Sequence, residues 1–268
     1  GGSNVAVGNG AGAAITTGAS NAILGYLALD AATTALNNVA IGPGAMGGLT
    51  SGIAATDCVA IGRDALYGSS NFNAGNSSFT VAIGYRAGYA ITNSSGGVYN
   101  TIVGGTAAQA LTTGGGSVYL GYAAGYTMTT GNQNTALGAY ALNTHLTGTR
   151  NTAIGYEAMH DTDAGTTSQD SDDNVFIGYT AGGGAWANTK SEYNVGIGNY
   201  VMNAVMDGAG YNTALGHQAL GALTTGDNNV AIGSSALSKS TTASNNTAIG
   251  INSMLDITTG QRNVALGS

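Results

Sequence analysis

From Asn212 the chain reads Asn-Thr-Ala-Leu-Gly-His-Gln-Ala-Leu-Gly-Ala-Leu-Thr-Thr-Gly-Asp-Asn through Asn228, and at Asn229 it starts again as Asn-Val-Ala-Ile-Gly. The opening five-residue phrase recurs from end to end. Its glycines are Gly8, Gly25, Gly42, Gly62, Gly84, Gly104, Gly121, Gly138, Gly155, Gly178, Gly198, Gly216, Gly233, Gly250 and Gly267, fifteen copies in 268 residues. Eight of the fourteen intervals between them are 17 residues, and the others are 18, 20, 20, 20, 22 and 23. A fixed short period marks a repeat architecture in which each unit is too thin to bury a core alone and is completed by its neighbours.

Numbering positions from the repeat glycine exposes fixed columns. Position −4 is Asn in twelve of fifteen copies: Asn4, Asn21, Asn38, Asn100, Asn134, Asn151, Asn174, Asn194, Asn212, Asn229, Asn246 and Asn263, with Cys58, Thr80 and Ser117 as exceptions. Position −1 is always Ile, Leu or Val, position +3 is Ala in twelve of fourteen copies, and position +9 is Thr in every 17-residue interval. A short β-branched run bounded by Asn and Gly reads as a strand. The Thr-Gly pair half a period later supplies a turn, because glycine takes positive φ without steric penalty. The predicted fold is all-β: a parallel β-solenoid of about 15 coils with a 17-residue base period, one continuous array over residues 1–268. At about 4.8 Å per layer such a stack measures on the order of 70 Å. The Asn column fits a side-chain amide ladder, each Asn donating to the next. No polar cap flanks the array at either end, which predicts a segment of a longer fibre.

Alternate side chains of a strand face opposite ways, so Val39 and Ile41 share one face and Ala40 takes the other. A strand that is apolar on both faces is buried on both. We therefore expect one face to fill the coil's own interior and the small residues to admit a sister chain. The expected interchain packing residues are Ala40, Ala60, Ala82, Ala136, Ala153, Ala214, Ala231 and Ala248.

The copies Asn-Thr-Ala-Ile-Gly-Tyr-Glu-Ala-Met at Asn151 to Met159 and Asn-Thr-Ala-Leu-Gly-His-Gln-Ala-Leu at Asn212 to Leu220, with the Leu-Thr-Thr-Gly turn at Leu223 to Gly226, resemble the repeats of trimeric autotransporter adhesin heads. They are still more similar to the related repeats of phage tail fibres and of bacterial surface fibres with tail-fibre-like domains. The resemblance covers the whole chain. It implies a left-handed β-roll, a homotrimer, and an extracellular role as shaft or head of an adhesive fibre on a bacterial surface or virion. The 17-residue period departs from the roughly 14-residue coil of the best-known adhesin heads, so a different cross-section is expected.

Six Lys and Arg against 13 Asp and Glu give a net charge of −7, with the bases scattered singly. Nucleic-acid binding needs clustered cations on phosphate, so that partner is excluded as a main one. A single cysteine excludes an intrachain disulfide framework, and no apolar run reaches the length of a membrane span. Cys58, in place of a ladder Asn, reads as a small buried thiol. His145, His160 and His217 fall in different coils without a Ser or Cys partner at a known spacing, and Glu157 and Glu192 stand in isolation, so neither catalysis nor a cofactor is expected.

The longer intervals are where coils can grow outward. Phe72, Phe79, Trp186 and Tyr193 are the candidate surface-recognition residues, since aromatic rings on protruding loops stack on sugars or anchor in protein pockets. The alternative for them is to fold back over the coil edge. Asp161, Asp163, Asp170, Asp172 and Asp173, in the 23-residue interval, form a weak Ca²⁺ candidate without the glycine and terminal glutamate of an EF-hand, set against a solvated loop. Tyr26, Tyr85, Tyr122, Tyr156 and Tyr179, just after the repeat glycine, read as a packing or surface stripe. The expected function is non-enzymatic attachment to a cell-surface receptor, a glycan among the candidates. The alternatives are a pure spacer shaft and an ice-binding solenoid, although adjacent threonines place their hydroxyls on opposite faces.

Overall fold

The computed structural model describes residues 2–49, 55–68, 77–91, 98–162 and 170–268. The expected parallel β-solenoid is the observed architecture. Packing divides the chain into two units, Gly1–Gln133 and Asn134–Ser268. The boundary falls inside an ordinary 17-residue interval, so no change of composition announces it.

In the first unit the repeat strands are β1 (Val5–Val7), β2 (Ala22–Leu24), β3 (Val39–Ile41), β5 (Val59–Ile61), β7 (Val81–Ile83), β8 (Thr101–Val103) and β9 (Val118–Leu120). They pair in parallel in chain order, position for position: Val39 opposes Val59, Ala40 opposes Ala60 and Ile41 opposes Ile61. Two of the longer intervals add β4 (Ala55–Thr56) and β6 (Ser77–Ser78), which pair with each other. The second unit holds β10 (Thr135–Leu137), β11 (Thr152–Ile154), β12 (Val175–Ile177), β13 (Val195–Ile197), β14 (Thr213–Leu215), β15 (Val230–Ile232), β16 (Thr247–Ile249) and β17 (Val264–Leu266), again parallel and in register. Insertions of up to six residues therefore leave the ladder untouched, because they lie between strands.

The assignment of strand faces is reversed from expectation. Ala40, Ala60, Ala82, Ala136, Ala153, Ala231 and Ala248 are 0% exposed and Ala214 is 1% exposed in the single chain. These alanines fill the coil's own interior and cannot be interchain contacts. The reason is the thinness of the coil. The position +3 alanines, such as Ala141, Ala158 and Ala219, are buried as well, so two small-residue columns share a narrow interior with the larger position +4 side chains Leu142, Met159 and Leu220. Volume is exchanged between the two columns: where the middle strand residue is aromatic, position +4 of the same coil is glycine, and where it is Ile23 or Ile102 the glycine stands in the coil before, at Gly12 or Gly88. A Cβ at Gly125 would run into the Tyr119 ring, and one at Gly182 would sit 2.8 Å from Phe176. The next strand yields too, with Gly196 opposite Phe176.

Beyond the strand, positions +2 and +4 take left-handed φ without being glycine: Tyr200 57°, Met202 43°, Gln218 56° and Leu220 50°. Each costs roughly 1 kcal/mol or more. Their N–H groups offset it with bonds along the stack. Gln218 donates to the Asn199 carbonyl of the coil before at 3.0 Å, and Leu220 to the Ala236 carbonyl of the coil after at 3.0 Å. This coil is thus tied in both directions by its corner as well as its strand.

The Asn column is continuous through the second unit from Asn134 to Asn263, and buried as far as Asn246. Each Asn Oδ1 accepts from the backbone N–H of the next ladder Asn, as in Asn229 to Asn212 at 3.0 Å, and usually from its Nδ2 as well. The same Nδ2 also donates to a turn carbonyl, in that case Ala243 at 2.8 Å. In the first unit the ladder runs Asn4, Asn21, Asn38 and then Cys58, whose N–H still donates to Asn38 Oδ1 at 3.0 Å. Burial pushes the Cys58 thiol up to about 11, so it is protonated at neutral pH and a poor nucleophile.

His145 is fully buried at a position held elsewhere by Leu111 and Leu223. Its Nδ1 lies 2.8 Å from Thr162 Oγ1, and Nε2 lies 3.1 Å from Asn151 Nδ2. An amide nitrogen can only donate, so the network assigns the proton to Nδ1. Burial lowers the imidazole to about 4, against the opposing pull of the Asp172 and Asp170 charges and the Ser171 carbonyl. The unfolded chain binds this proton first, so the contribution to stability is present above pH 6.5 and is lost as pH falls toward 4. The loss amounts to about 3 kcal/mol. Melting temperature against pH should drop more steeply over that window in the native chain than in His145→Leu; parallel curves would refute the assignment.

Candidate functional site

Three longitudinal surfaces result from this coil. The first is the outward face of the strands, positions −3 and −1. Here Ile197 is 38% and Leu215 47% exposed, with Val118, Leu120, Leu137 and Ile249 also open. Side chains that alternate with the interior alanines have nowhere else to point, so each rung displays one or two β-branched or leucine side chains to solvent.

The second surface is the corner at position −5, next to the Asn ladder. Phe79 and Tyr193 lie here, both exposed at left-handed φ, 65° and 59°. They do not stand alone. Phe79 stacks on Tyr99 with centroids 5.4 Å apart, and Tyr193 stacks on Tyr211 at 4.9 Å. The carboxylates beside Tyr193 and the Tyr211 phenol hold its own phenol above the ordinary range. On the same corner Arg150 grips Asp173 through two bonds, at 2.6 and 2.7 Å. The Asp173 carboxyl is held low by that guanidinium.

Trp186 is displaced from the recognition set. It is 0% exposed, packs edge-on against Phe176 at 5.9 Å, and donates its indole N–H to the Gly182 carbonyl at 3.0 Å. The oversized Phe176 coil needs a large neighbour, and the indole fills it. Phe72 and Asp163 lie outside the described residues.

The remaining acidic residues do not converge. Asp170 accepts from the Thr147 hydroxyl, Asp172 from the Thr149 amide and hydroxyl, and Asp161 from the Thr144 hydroxyl at 3.3 Å. Each carboxylate is spent on a different residue one coil below, which is cross-coil pairing rather than a coordination shell. Among the described residues no group of three His, Cys, Asp or Glu side chains could hold a metal ion. Glu157 accepts from the Tyr156 hydroxyl, which raises that phenol, and Glu192 lies 3.8 Å from Lys190 Nζ. At position +8, beside the turn column, the Thr112, Thr224 and Thr241 hydroxyls donate to the carbonyls of Thr129, Thr241 and Thr258.

The third surface carries positions +1, +2 and +5. The tyrosine stripe expected at position +1 is wider than that column. Through five consecutive coils of the second unit it runs Tyr140, Tyr156, Tyr179, Tyr200 and His217, with neighbouring centroids 5.3 to 5.9 Å apart. Rings at +1 and +2 join in one ladder, which a search of a single column misses. In the first unit the same surface holds Arg63 over the Tyr85 ring at 4.5 Å and Arg86 between Tyr85 and Tyr89, at 5.3 and 5.1 Å. Below them opens a cleft of about 240 Å³ bordered by Tyr26, Asp30, Pro43, Arg63, Asp64 and Tyr67.

No protein-family model matches the chain, and neither a curated protein nor a solved structure matches it.

Proposed function

We propose that this chain is a structural and adhesive segment of an extracellular homotrimeric fibre that attaches to a cell surface without catalysing a reaction. The observation that carries the reading is the outward strand face. Burying an exposed Val, Leu or Ile side chain yields about 1.5 to 3 kcal/mol when complete. Rung after rung within each unit presents such side chains at the same two positions, the kind of patch that self-association removes. The sister-chain contact thus moves to the opposite side of the strand from the alanines. The number three rests on the resemblance of the repeats to trimeric fibre heads. Identical surfaces on parallel subunits would multiply weak receptor contacts through effective concentration.

Light scattering of the native chain should return three times the 26.2 kDa monomer mass. The double substitution Ile197→Asp and Leu215→Asp should shift it toward monomer with an unchanged circular dichroism spectrum, since both side chains are exposed in one chain. A native chain that runs as a monomer at every concentration defeats the fibre reading. A trimer that retains no glycan or cell surface would be a spacer.

A further inference from the structure

Position +5 reads His160, Gly183, Asn203, Gly221, Ser238 and Leu255 in successive coils of the second unit. A glycine in this column leaves room for a side chain on the surface, and what fills that room differs from coil to coil. At Gly183 both neighbouring coils reach in: an added Cβ would stand 2.8 Å from the Glu157 carbonyl oxygen and 3.4 Å from Asn203 Oδ1. At Gly47 in the first unit it would meet the Leu27 carbonyl oxygen at 2.8 Å and Asp30 Oδ1 at 3.3 Å. At Gly221 it would meet only Gln218 of its own coil, the carbonyl oxygen at 3.1 Å and Cβ at 3.7 Å. Neither neighbour enters there, because Asn203 leans toward Gly183 and Ser238 is short. The gap that results measures about 230 Å³, walled by Tyr200, Asn203, Gln218 and Ser238 over a floor of Gly221 and Ala222.

The wall groups are polar, uncharged and uncommitted. Among the described residues the side chains of Asn203, Gln218 and Ser238 enter no hydrogen bond. Gln218 is exposed, and neither Asn203 nor Ser238 has a polar atom cut off from solvent. Tyr200 is 39% exposed and is held at the rim by edge-on contacts to Tyr179 at 5.3 Å and His217 at 5.8 Å. Lys239, next in the chain to Ser238, is spent on Asp256 at 2.7 Å. Two amides and a hydroxyl, able both to give and to take hydrogen bonds, face one small space.

We propose that this gap binds a single neutral pyranose ring of a surface glycan. Each ring hydroxyl both donates and accepts, as the wall groups do. The rows of Asn203 and Ser238 are two layers, roughly 10 Å, apart, so two hydrogen bonds of about 2.8 Å leave on the order of 4 to 5 Å between them. One six-membered ring with its hydroxyls spans that distance, and two do not. Its C–H groups rest on the Gly221 and Ala222 backbone, which carries nothing larger than a methyl group, and against the Tyr200 ring. The volume lies below the ~300–1,000 Å³ of sites that enclose drug-sized ligands, which suits one ring. A cation or a phosphate finds no opposite charge in the wall, and an apolar group strips water from Asn203, Gln218 and Ser238 without replacing it.

The assignment rests on the attachment reading and deepens it, but the two are tested apart. Saturation-transfer NMR and calorimetry on the full chain would use methyl glucopyranoside, galactopyranoside and mannopyranoside, with choline, inorganic phosphate and N-methylacetamide as cationic, anionic and peptide-like probes. At least one pyranoside should bind in the millimolar range, with Ser238→Ala and Gln218→Ala each weakening it about threefold to tenfold. Gly221→Asn should abolish binding by filling the gap. The column already holds Asn143 and Asn203, and Gly221 takes no positive φ, so the coil accepts the residue. Gln109→Ala, at the same position in the first unit, should leave binding unchanged. If Gly221→Asn fails to fold, the two surface substitutions still decide. Silence from every pyranoside, binding indifferent to the second-unit substitutions, or preference for choline, phosphate or N-methylacetamide overturns the proposal. If the chain is trimeric and yet silent, the gap is wrong and the fibre stands; if a monomer binds sugar, the gap stands and the fibre is wrong.

Discussion

Gly216→Ala is expected to remove cooperative folding from the coils around it, a loss of at least about 4 kcal/mol, in the range reserved for backbone strain and steric overlap together. Gly216 follows β14 at φ 141°, a value that side chains adopt only under strain. Its missing Cβ would lie 2.5 Å from the Gly233 carbonyl oxygen, 2.6 Å from its carbon and 3.0 Å from Ser234 N. All three are backbone atoms, so no rotamer change relieves the overlap. Nor can the coil move away, because Gly216 N–H donates to the Ile197 carbonyl at 2.8 Å and Gly233 N–H to that of Leu215 at 2.8 Å. The comparison is Gly105→Ala, where the added Cβ meets only the Tyr122 ring at 3.5 Å, and which should stay within about 0.5 kcal/mol of the parent. Chemical denaturation of the two variants checks the pair. If Gly216→Ala unfolds at the parent's midpoint, the glycine column is not what sets the coil spacing.

The same contrast separates what could be read from the residues alone. The glycine and asparagine columns are legible because few other side chains meet the demand: no Cβ against a neighbouring backbone, or a donor and an acceptor on one short arm. The facing of the strand is not legible in that way. Val39, Ala40 and Ile41 are all apolar, and size suggests putting the larger pair inside. Only the second alanine column at position +3 reveals how narrow the interior is. Gly125 with Tyr119 and Gly182 with Phe176 carry the same information, but as pairs of exceptions in two columns. Left-handed Leu220 and Met202 carry no signal at all, since neighbouring coils impose their conformation through hydrogen bonds against local preference. Trp186 misleads for a related reason: an insertion suggests a protruding loop, whereas its indole completes the core of the coil that Phe176 enlarges. The gap at Gly221 shows only when position +5 is followed across three coils.

Asn212→Ala should cost about 3 to 5 kcal/mol, because it strands groups on both sides of the ladder. Asn212 Oδ1 accepts from Asn229 N and Nδ2, both at 3.0 Å. Its Nδ2 donates to Asn194 Oδ1 at 3.0 Å, to Gly210 O at 3.1 Å and to Gly226 O at 2.8 Å. Alanine leaves the buried Asn229 N–H and the Gly226 carbonyl without those partners. Asn212→Asp is the sharper probe. It keeps the shape and the acceptor for Asn229, but turns a second oxygen toward Gly226, Gly210 and Asn194, all acceptors. A protonated acid can donate one bond there and a carboxylate none, so folding raises the carboxyl above its unfolded value of about 4. The variant should therefore be most stable below that pH and lose stability as pH rises through the folded value, the opposite of the His145 effect. Ser117 marks the tolerable substitution: its N–H still meets Asn100 Oδ1 at 3.0 Å and its hydroxyl turns back to the Gly115 carbonyl at 3.4 Å, so Asn212→Ser should fall between alanine and the parent. Urea midpoints of the three variants at acidic and neutral pH test the series. An aspartate variant equally stable at both would mean that the ladder amide nitrogen holds no carbonyl, and the stack would have to be kept in register by its strands and corners alone.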